Sequence, residues 1–347
     1  MPCGLFHTRY NTDERIFETL FVRICLAVFL VFLLIFPILA NNYFIYVSNM
    51  IFIFIVGAIG LNILVGFTGQ ISIGHAAFVA VGAYTSGILA SKTGVPFWIA
   101  LPLSGVSAAI IGMFFGIPSL RVKGLYLAIA TLAAQFIIEY IIVNWEGLTN
   151  GITGIFIPYP DLFGFVFDND TKFYYLLLLF AALAVITGRN LFRTKIGRAF
   201  IAIRDRDIAA ELIGINVFKY KLLTFAISSF YAGIAGSLWG YYTNVITPEH
   251  FTIVLSIDYL AMIIVGGLGS IIGTIFGVVF IIILPEILTT LSIVFKDSMG
   301  DISSSLSAYK GLLFGITIIL FLIFEPDGLA ERWRKIRVYW KLWPFSY

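Results

Sequence analysis

Between Leu61 and Phe78 the stretch LNILVGFTGQISIGHAAF places Asn62, Thr68, Gln70, Ser72 and His75 beside Gly66, Gly69 and Gly74, inside an otherwise apolar run. Amides, hydroxyls and an imidazole can hold a polar ligand by hydrogen bonds. They do not make acid–base or metal chemistry here, because no carboxylate and no second histidine stands with them. Glycine-broken backbone in an apolar setting is tolerated only where protein covers it or where it lines a cavity. The segment therefore reads as the wall of a path or as a hinge. Asn62, Gln70, Ser72 and His75 are the residues expected beside a substrate, with Phe67, Ile71 and Phe78 as its apolar lining. A single histidine is more often a packed, hydrogen-bonded residue than a ligand, and both readings of His75 stand at this point.

A second unusual stretch is RDRDIAAELIGINVFKYK, from Arg204 to Lys221, where charge and small residues interrupt the apolar chain. IAAELIGI predicts a short helix closed by Gly214, a good C-terminal breaker. Asp205 and Asp207 at its start complement the helix dipole, and Ala209 and Ala210 would offer a flat face to another protein. Two readings compete: a solvated loop held on one side by its positive charge, and a docking helix that receives force from a partner. Elsewhere Glu139, Asp258 and Glu286 are acids within apolar runs. Carboxylates inside a membrane are functional candidates. Scattered as these are, with no intramembrane Lys or Arg to pair with them, they are expected either beside a transport path or near span ends.

No G-x-x-x-x-G-K-[ST] loop occurs, so no P-loop nucleotide site is expected. No H-E-x-x-H occurs, and His7, His75 and His250 do not make a metal cluster. No catalytic residue, metal site or cofactor is expected, and no basic soluble domain is present for nucleic acid. Cys3 and Cys25 imply no disulfide framework.

The elements that must carry these residues follow from composition. Of 347 residues 60% are hydrophobic and only 12% charged, against roughly 25% charged in soluble domains, and the mean hydropathy is +0.99. A run of about 20 apolar residues spans a bilayer. The chain reads as an all-α polytopic membrane protein with about ten transmembrane helices, near 20–40, 44–66, 71–90, 96–117, 124–143, 173–188, 220–243, 253–266, 270–290 and 309–325. The eighth is short and could form one long broken helix with the ninth. Lys and Arg favour cytoplasmic loops. Residues 188–221 and the tail with Arg332, Arg334, Lys335, Arg337 and Lys341 are basic, and the loop 121–123 carries Arg121 and Lys123. Residues 144–172 carry Glu146, Asp161, Asp168 and Asp170 against Lys172. Ten crossings put every basic region inside and the acidic loop outside. The organisation is then a cytoplasmic segment 1–19, a membrane domain 20–325 with a cytoplasmic loop 189–219, and a basic cytoplasmic tail 326–347.

Gly112 and Gly116, Gly236 and Gly240, Gly269, Gly273 and Gly277, and Gly311 and Gly315 recur every fourth position. Such spacing lets helices approach closely in lipid, and packing within one chain is the expected use. IIVGGLGSIIG (Ile263–Gly273) echoes ILVGFTGQISIG (Ile63–Gly74); transporters often contain internal repeats, but so short an echo between glycine-rich stretches also arises by chance, and the topology does not rest on it.

Several blocks together resemble the LivM-type permeases of ABC importers for branched-chain amino acids. They are GLNILVGFTGQISIGHAAFVAVGAY (Gly60–Tyr84), RVKGLYLAIATLA (Arg121–Ala133), LTNGITGI (Leu148–Ile155), TKIGRAFIAIRDRDIAAELIGINVFKYKLLTFAISSFYAGIAGSLWG (Thr194–Gly240), LSIDYLAMIIVGGLGS (Leu255–Ser270) and EPDGL (Glu325–Leu329). The resemblance spans about residues 40 to 330 and implies the fold of an ABC importer permease in a bacterial inner membrane. It implies that Arg204–Lys221 belongs to the coupling loop, with ATPase coupling carried by Arg198, Asp205, Ala209, Ala210, Glu211 and Gly214. It also implies the partners: a second related permease, two cytoplasmic ATPase subunits that bind the ATP, and a periplasmic or lipid-anchored binding protein. The implied cargo is Leu, Ile or Val. Urea, short amides or other amino acids on the same machinery, and a stand-alone secondary transporter, are the alternatives. Ile152 and Thr153 stand where the family often has Pro-Asn, and Glu325 where a basic residue is common, which bears on substrate preference.

The charge asymmetry is directly testable. With the native cysteines replaced by serine, Val338→Cys is expected to escape an impermeant thiol reagent in intact cells and to react once the cells are opened. Labelling in intact cells would reverse the assignment of sides.

Overall fold

The computed structural model describes residues 20–119, 124–162, 165–299, 315, 316, 318, 319, 321, 323 and 328–342. Segment 1–19, Arg121 and Lys123, Gly311, Glu325–Asp327 and the end of the tail lie outside the described residues. The helices are α1 (Leu20–Leu39), α2 (Asn42–Thr68), α3 (His75–Thr93), α4 (Phe97–Ser119), α5 (Leu125–Asn144), α6 (Asp170–Arg193), α7 (Lys195–Asp205), α8 (Asp207–Leu212), α9 (Val217–Thr243), α10 (Ile253–Gly266), α11 (Ile271–Met299) and α12 (Gly328–Leu342), with a one-turn helix at Glu146–Thr149. Each of the first nine expected spans meets one of these helices, and the tenth falls on a stretch where residues 315, 316, 318, 319, 321 and 323 are helical. Among the described residues, six helical segments are long and apolar enough to cross a membrane: Asn42–Thr68, Phe97–Pro118, Leu125–Asn144, Asp170–Arg193, Val217–Thr243 and Pro248–Gly266. Arg23–Leu39 and Ile271–Ile287 are shorter apolar helices.

α2 is apolar on every side and is buried from Phe52 to Thr68, as a helix without a polar face must be. α6, α7, α9, α10 and α11 surround it, and α9 also packs on α3 and α4. The small residues permit these approaches. A Cβ on Gly236 would collide with the Val79 carbonyl of α3, and one on Gly112 with Ser229 of α9. A Cβ on Gly277 would meet the Met262 carbonyl, and one on Gly273 that of Gly266. Close packing inside the chain, the expected use of the four-residue spacing, is what these four positions do, whereas Gly315 has open space around it among the described residues.

The pairs Gly266–Gly273 and Met262–Gly277 also settle how α10 relates to α11. Partners diverge in sequence from one turn, so the helices run antiparallel. They form a tight hairpin through Gly267–Ser270 rather than one long broken helix. The left-handed φ of 111° at Gly267 allows the reversal.

Two irregular segments enter the helical body. After α2 ends at Gly69, residues 69–74 leave the helix, yet His75, the first residue of α3, reaches the Gly57 carbonyl at 3.0 Å. Gly57 lies eleven residues before Thr68, about 16 Å back along the axis. Six extended residues can cover about 20 Å, so the chain climbs back beside α2 and α3 starts partway through the body. From the other end, Val245–Ile246 pairs antiparallel with Ile155–Phe156, Pro248–Phe251 makes a 3-10 turn, and α10 begins at Ile253. At fourteen residues α10 alone is about 21 Å long, and it needs the 3-10 turn that precedes it to approach a hydrocarbon core of about 30 Å. The starts of α3 and α10 meet inside the protein. One end of the molecule carries the acidic loop, tied to α3 by Lys92 Nζ donating to the Gly147 carbonyl at 2.7 Å. The opposite, basic end carries α7, α8, the Gly267–Ser270 turn and α12, where Gly328 stands against Gly267.

Candidate functional site

The meeting point of α3 and α10 is polar. Non-helical backbone in a membrane must find its hydrogen bonds within the protein, and side chains from neighbouring helices provide them. Ile73 N–H donates to Thr131 Oγ1 at 3.0 Å and Ala76 N–H to Ser256 Oγ at 2.8 Å. Gln135 Nε2 donates to the Phe251 carbonyl at 2.7 Å, and Ser256 Oγ lies 3.5 Å from Gln135 Oε1. Both helices point their N-termini here, so two positive dipole ends converge, an arrangement suited to a developing or bound negative charge.

Of the four residues expected beside a substrate, three belong to this segment. His75 is buried, with Nε2 on the Gly57 carbonyl and its ring edge-on to Tyr259 at 5.1 Å between centroids. Ser72 is fully buried, and its Oγ finds no hydrogen-bond partner among the described residues. Gln70 is 2% exposed; its Nε2 donates to Thr68 Oγ1 at 2.8 Å while its Oε1 has no partner among the described residues. Asn62 is apart from them and has another task. Its Nδ2 donates to the Ser270 carbonyl at 3.0 Å and to Thr274 Oγ1 at 2.6 Å, and its Oδ1 accepts from Gly269 N–H at 2.9 Å. With both ends of the amide engaged, Asn62 pins the α10–α11 turn to α2. The two echoing glycine stretches are thus in direct contact: a Cβ on Gly66 would collide with Gly269 N.

Thr131, Gln135, Ser256 and Tyr259 were missed by sequence reasoning. A signal existed for Gln135, the one amide in the interior of the fifth apolar run, and for Ser256 and Tyr259 beside Asp258. Of the three acids within apolar runs, Glu286 accepts a hydrogen bond from Tyr43 Oη. Glu139 lines a small crevice with Gln135, Pro248 and Phe251. Asp258 is half-buried on α10, two residues beyond Ser256.

At the basic end, the expected short helix is α8. Thr194 caps α7, its Oγ1 accepting from Gly197 N–H at 3.3 Å, and Arg206 separates α7 from α8. Gly214 takes a left-handed φ of 87° with open space around it, so a β-branched residue there would be strained by backbone alone. Arg198, Asp205, Ala209 and Glu211 are exposed. Ala210 is not part of an outward face: it is 2% exposed and turned into the body. The outward surface is instead apolar and large, with Ile208, Leu212 and Ile213 exposed to 69%, 83% and 74%. Arg204, also absent from the expected set, ties this unit inward. Its Nη1 donates to the Gly66 carbonyl at 3.1 Å, its side chain pairs with Asp205 at 3.1 Å, and it lies beside both Gly69 and Gly269. A cation between the C-terminal ends of α2 and α10 matches their dipoles.

Alanine at Ser72, Gln70 or His75 is expected to lower transport more than the amount of folded protein. Asn62→Leu, which strands the turn's Gly269 N–H, is expected to lower folded protein first, by about 2 kcal/mol in stability. Uptake at wild-type rate by all three alanine variants would remove the segment from the path.

Comparison with known proteins gives the family. A family model described as branched-chain amino acid transport system / permease component matches residues 43–322. The high-affinity branched-chain amino acid transport system permease protein LivM of Salmonella typhimurium is 32% identical over 336 residues, covering 90% of this chain and 76% of the relative. A probable branched-chain amino acid transport permease protein LivH of Methanocaldococcus jannaschii is 27% identical over 81% of this chain and 89% of its own length. The ribose import permease protein RbsC of Haemophilus influenzae is 28% identical over 79% and 82%. No solved structure matches significantly.

Proposed function

The chain belongs to the family of branched-chain amino acid transport permease components, and from that premise we propose that it is one membrane subunit of an ATP-driven importer for Leu, Ile and Val. It works in the bacterial inner membrane with the basic end and both termini on the cytoplasmic side. A second, LivH-like permease completes the path, two ATPase subunits dock from the cytoplasm and bind the ATP, and a binding protein outside delivers the amino acid. The chain itself is not an enzyme.

The observation that carries this reading is the exposed apolar face of α8. Ile208, Leu212 and Ile213 project from a charged segment at the basic end, where the positive-inside tendency puts water rather than lipid. Large apolar side chains clustered in such a place mark a docking surface. A six-residue helix is marginal alone but is held here by Ala210 packed inward and by the ion pair of Asp207 with Lys221 at 3.5 Å.

The same unit reaches the path. A motor that moves α8 moves α7 and with it Arg204, which is bonded to the end of α2 where residues 69–74 begin. The segment ends on α3, whose N-terminus stands with that of α10 at the polar node. Opening and closing at the node is thereby linked to the ATPase by one short chain of contacts. The amino-acid carboxylate is drawn to the convergent helix N-termini, while Ile71, exposed in the same stretch, supplies apolar surface for a branched side chain; Phe67, stacked on Phe192, and Phe78 are packed into the body instead. Since RbsC is named for ribose, the cargo is decided by binding: labelled leucine against urea and ribose on the cognate binding protein.

Leu212→Asp should cut uptake by reconstituted complex roughly tenfold, the effect of about 1.4 kcal/mol at one anchor of an interface. Gly214→Val should do likewise through strain at the helix end. Both lie outside the spans and should insert normally. Coupled transport at full rate in both variants would leave the loop a solvated anchor.

A further inference from the structure

Between the α7–α8 joint and the beginning of the 69–74 segment lies a cavity of about 230 Å³. Its lining is chemically divided. Leu127 and Ile203 give an apolar wall, Gln70 lies on the side of the membrane segment, and charged residues of the joint close the other side. Arg204 pairs with Asp205, and Lys221 with Asp207, at 3.1 and 3.5 Å. Arg206 makes no ion pair among the described residues. The Gln70 amide is almost wholly buried, and its Oε1 has no donor among the described residues. Leaving such an acceptor unmatched is costly, so a ligand that brings an N–H to it is favoured.

We propose that this cavity is a second binding site, on the cytoplasmic side of the permease, for a small zwitterion: an α-amino acid with an apolar side chain. Its carboxylate is held by Arg206, its ammonium by Gln70 Oε1 and the Asp207 carboxylate, and its side chain by Leu127 and Ile203. Both charges of the ligand are answered, which a simple anion or a simple amine does not achieve. The occupant touches the coupling unit on one side and the first residues of the broken segment on the other. It therefore props apart the two parts whose relative movement drives the cycle, and accumulated internal amino acid slows further import. The inference rests on the proposed import of branched-chain amino acids and deepens it by adding control from the product side.

The test uses the complete complex with its ATPases and binding protein in vesicles whose lumen holds ATP. Initial uptake of labelled leucine is measured with the lumen free of amino acid or loaded with unlabelled leucine, isocaproate (no ammonium) or isoamylamine (no carboxylate). Each variant is compared with its own rate in an empty lumen. Lumenal leucine is expected to slow the wild type, while the two analogues do little. Arg206→Gln should raise the half-inhibiting leucine concentration roughly tenfold, as expected for losing one charge-assisted hydrogen bond, and Arg206→Lys should restore most of the effect. A second readout is equilibrium binding of labelled leucine to the detergent-solubilised complex without its binding protein, which wild type should show and Arg206→Gln should weaken. Equal inhibition by isocaproate would overturn the zwitterion assignment. Insensitivity of the wild type to lumenal leucine, or identical binding by Arg206→Gln, would overturn the site. Failure of uptake itself with binding intact would instead count against the import reading.

Discussion

Backbone that leaves the helix inside a membrane must have its polar groups satisfied by protein, and the rest of this molecule is arranged around that requirement. Residues 69–74 climb beside α2. Their continuation into α3 is held by Thr131 from α5, Ser256 from α10 and the His75 bond to the Gly57 carbonyl. On the opposite side, the turn before α10 is held by Gln135. The polar residues of an otherwise apolar chain thus collect where two broken elements meet. The dense glycine packing of α9 against α3 and α4 closes the body around them.

In the proposed importer the same requirement supplies a lever. A continuous helix would fix the ends of α2 and α3 relative to each other, whereas six non-helical residues allow the start of α3 to move if the end of α2 is pulled. Arg204 is attached at that point. Its hydrogen bond to the Gly66 carbonyl is half-exposed and contributes on the order of 1 kcal/mol. Its importance is therefore positional: it joins the α7–α8 segment to the ends of α2 and of the α10–α11 hairpin at once.

Much of this was legible in the sequence. Hydropathy located the helices because a lipid-facing helix must be apolar over its length, and fourfold glycine spacing announced the close contacts. Gly214 announced the end of α8. What could not be read was direction. Ala210 and Ala209 look alike in sequence, but one is buried and the other exposed, because a single residue step on a helix turns the side chain by about 100°. Asn62 sits among path-like residues yet faces the hairpin turn 208 residues away in sequence. That contact, like those of Arg204 with Gly66 and of Ala76 with Ser256, joins distant parts of the chain, and no local pattern encodes it.

The central claim is that force passes from the coupling unit to the broken segment through Arg204. The most direct measurement is the number of ATP molecules hydrolysed per leucine imported by the reconstituted complex carrying Arg204→Gln. The account predicts that the ATPases stay bound and continue to hydrolyse ATP while leucine uptake falls, so that the ratio rises well above wild type. A ratio and an uptake rate equal to wild type would contradict it.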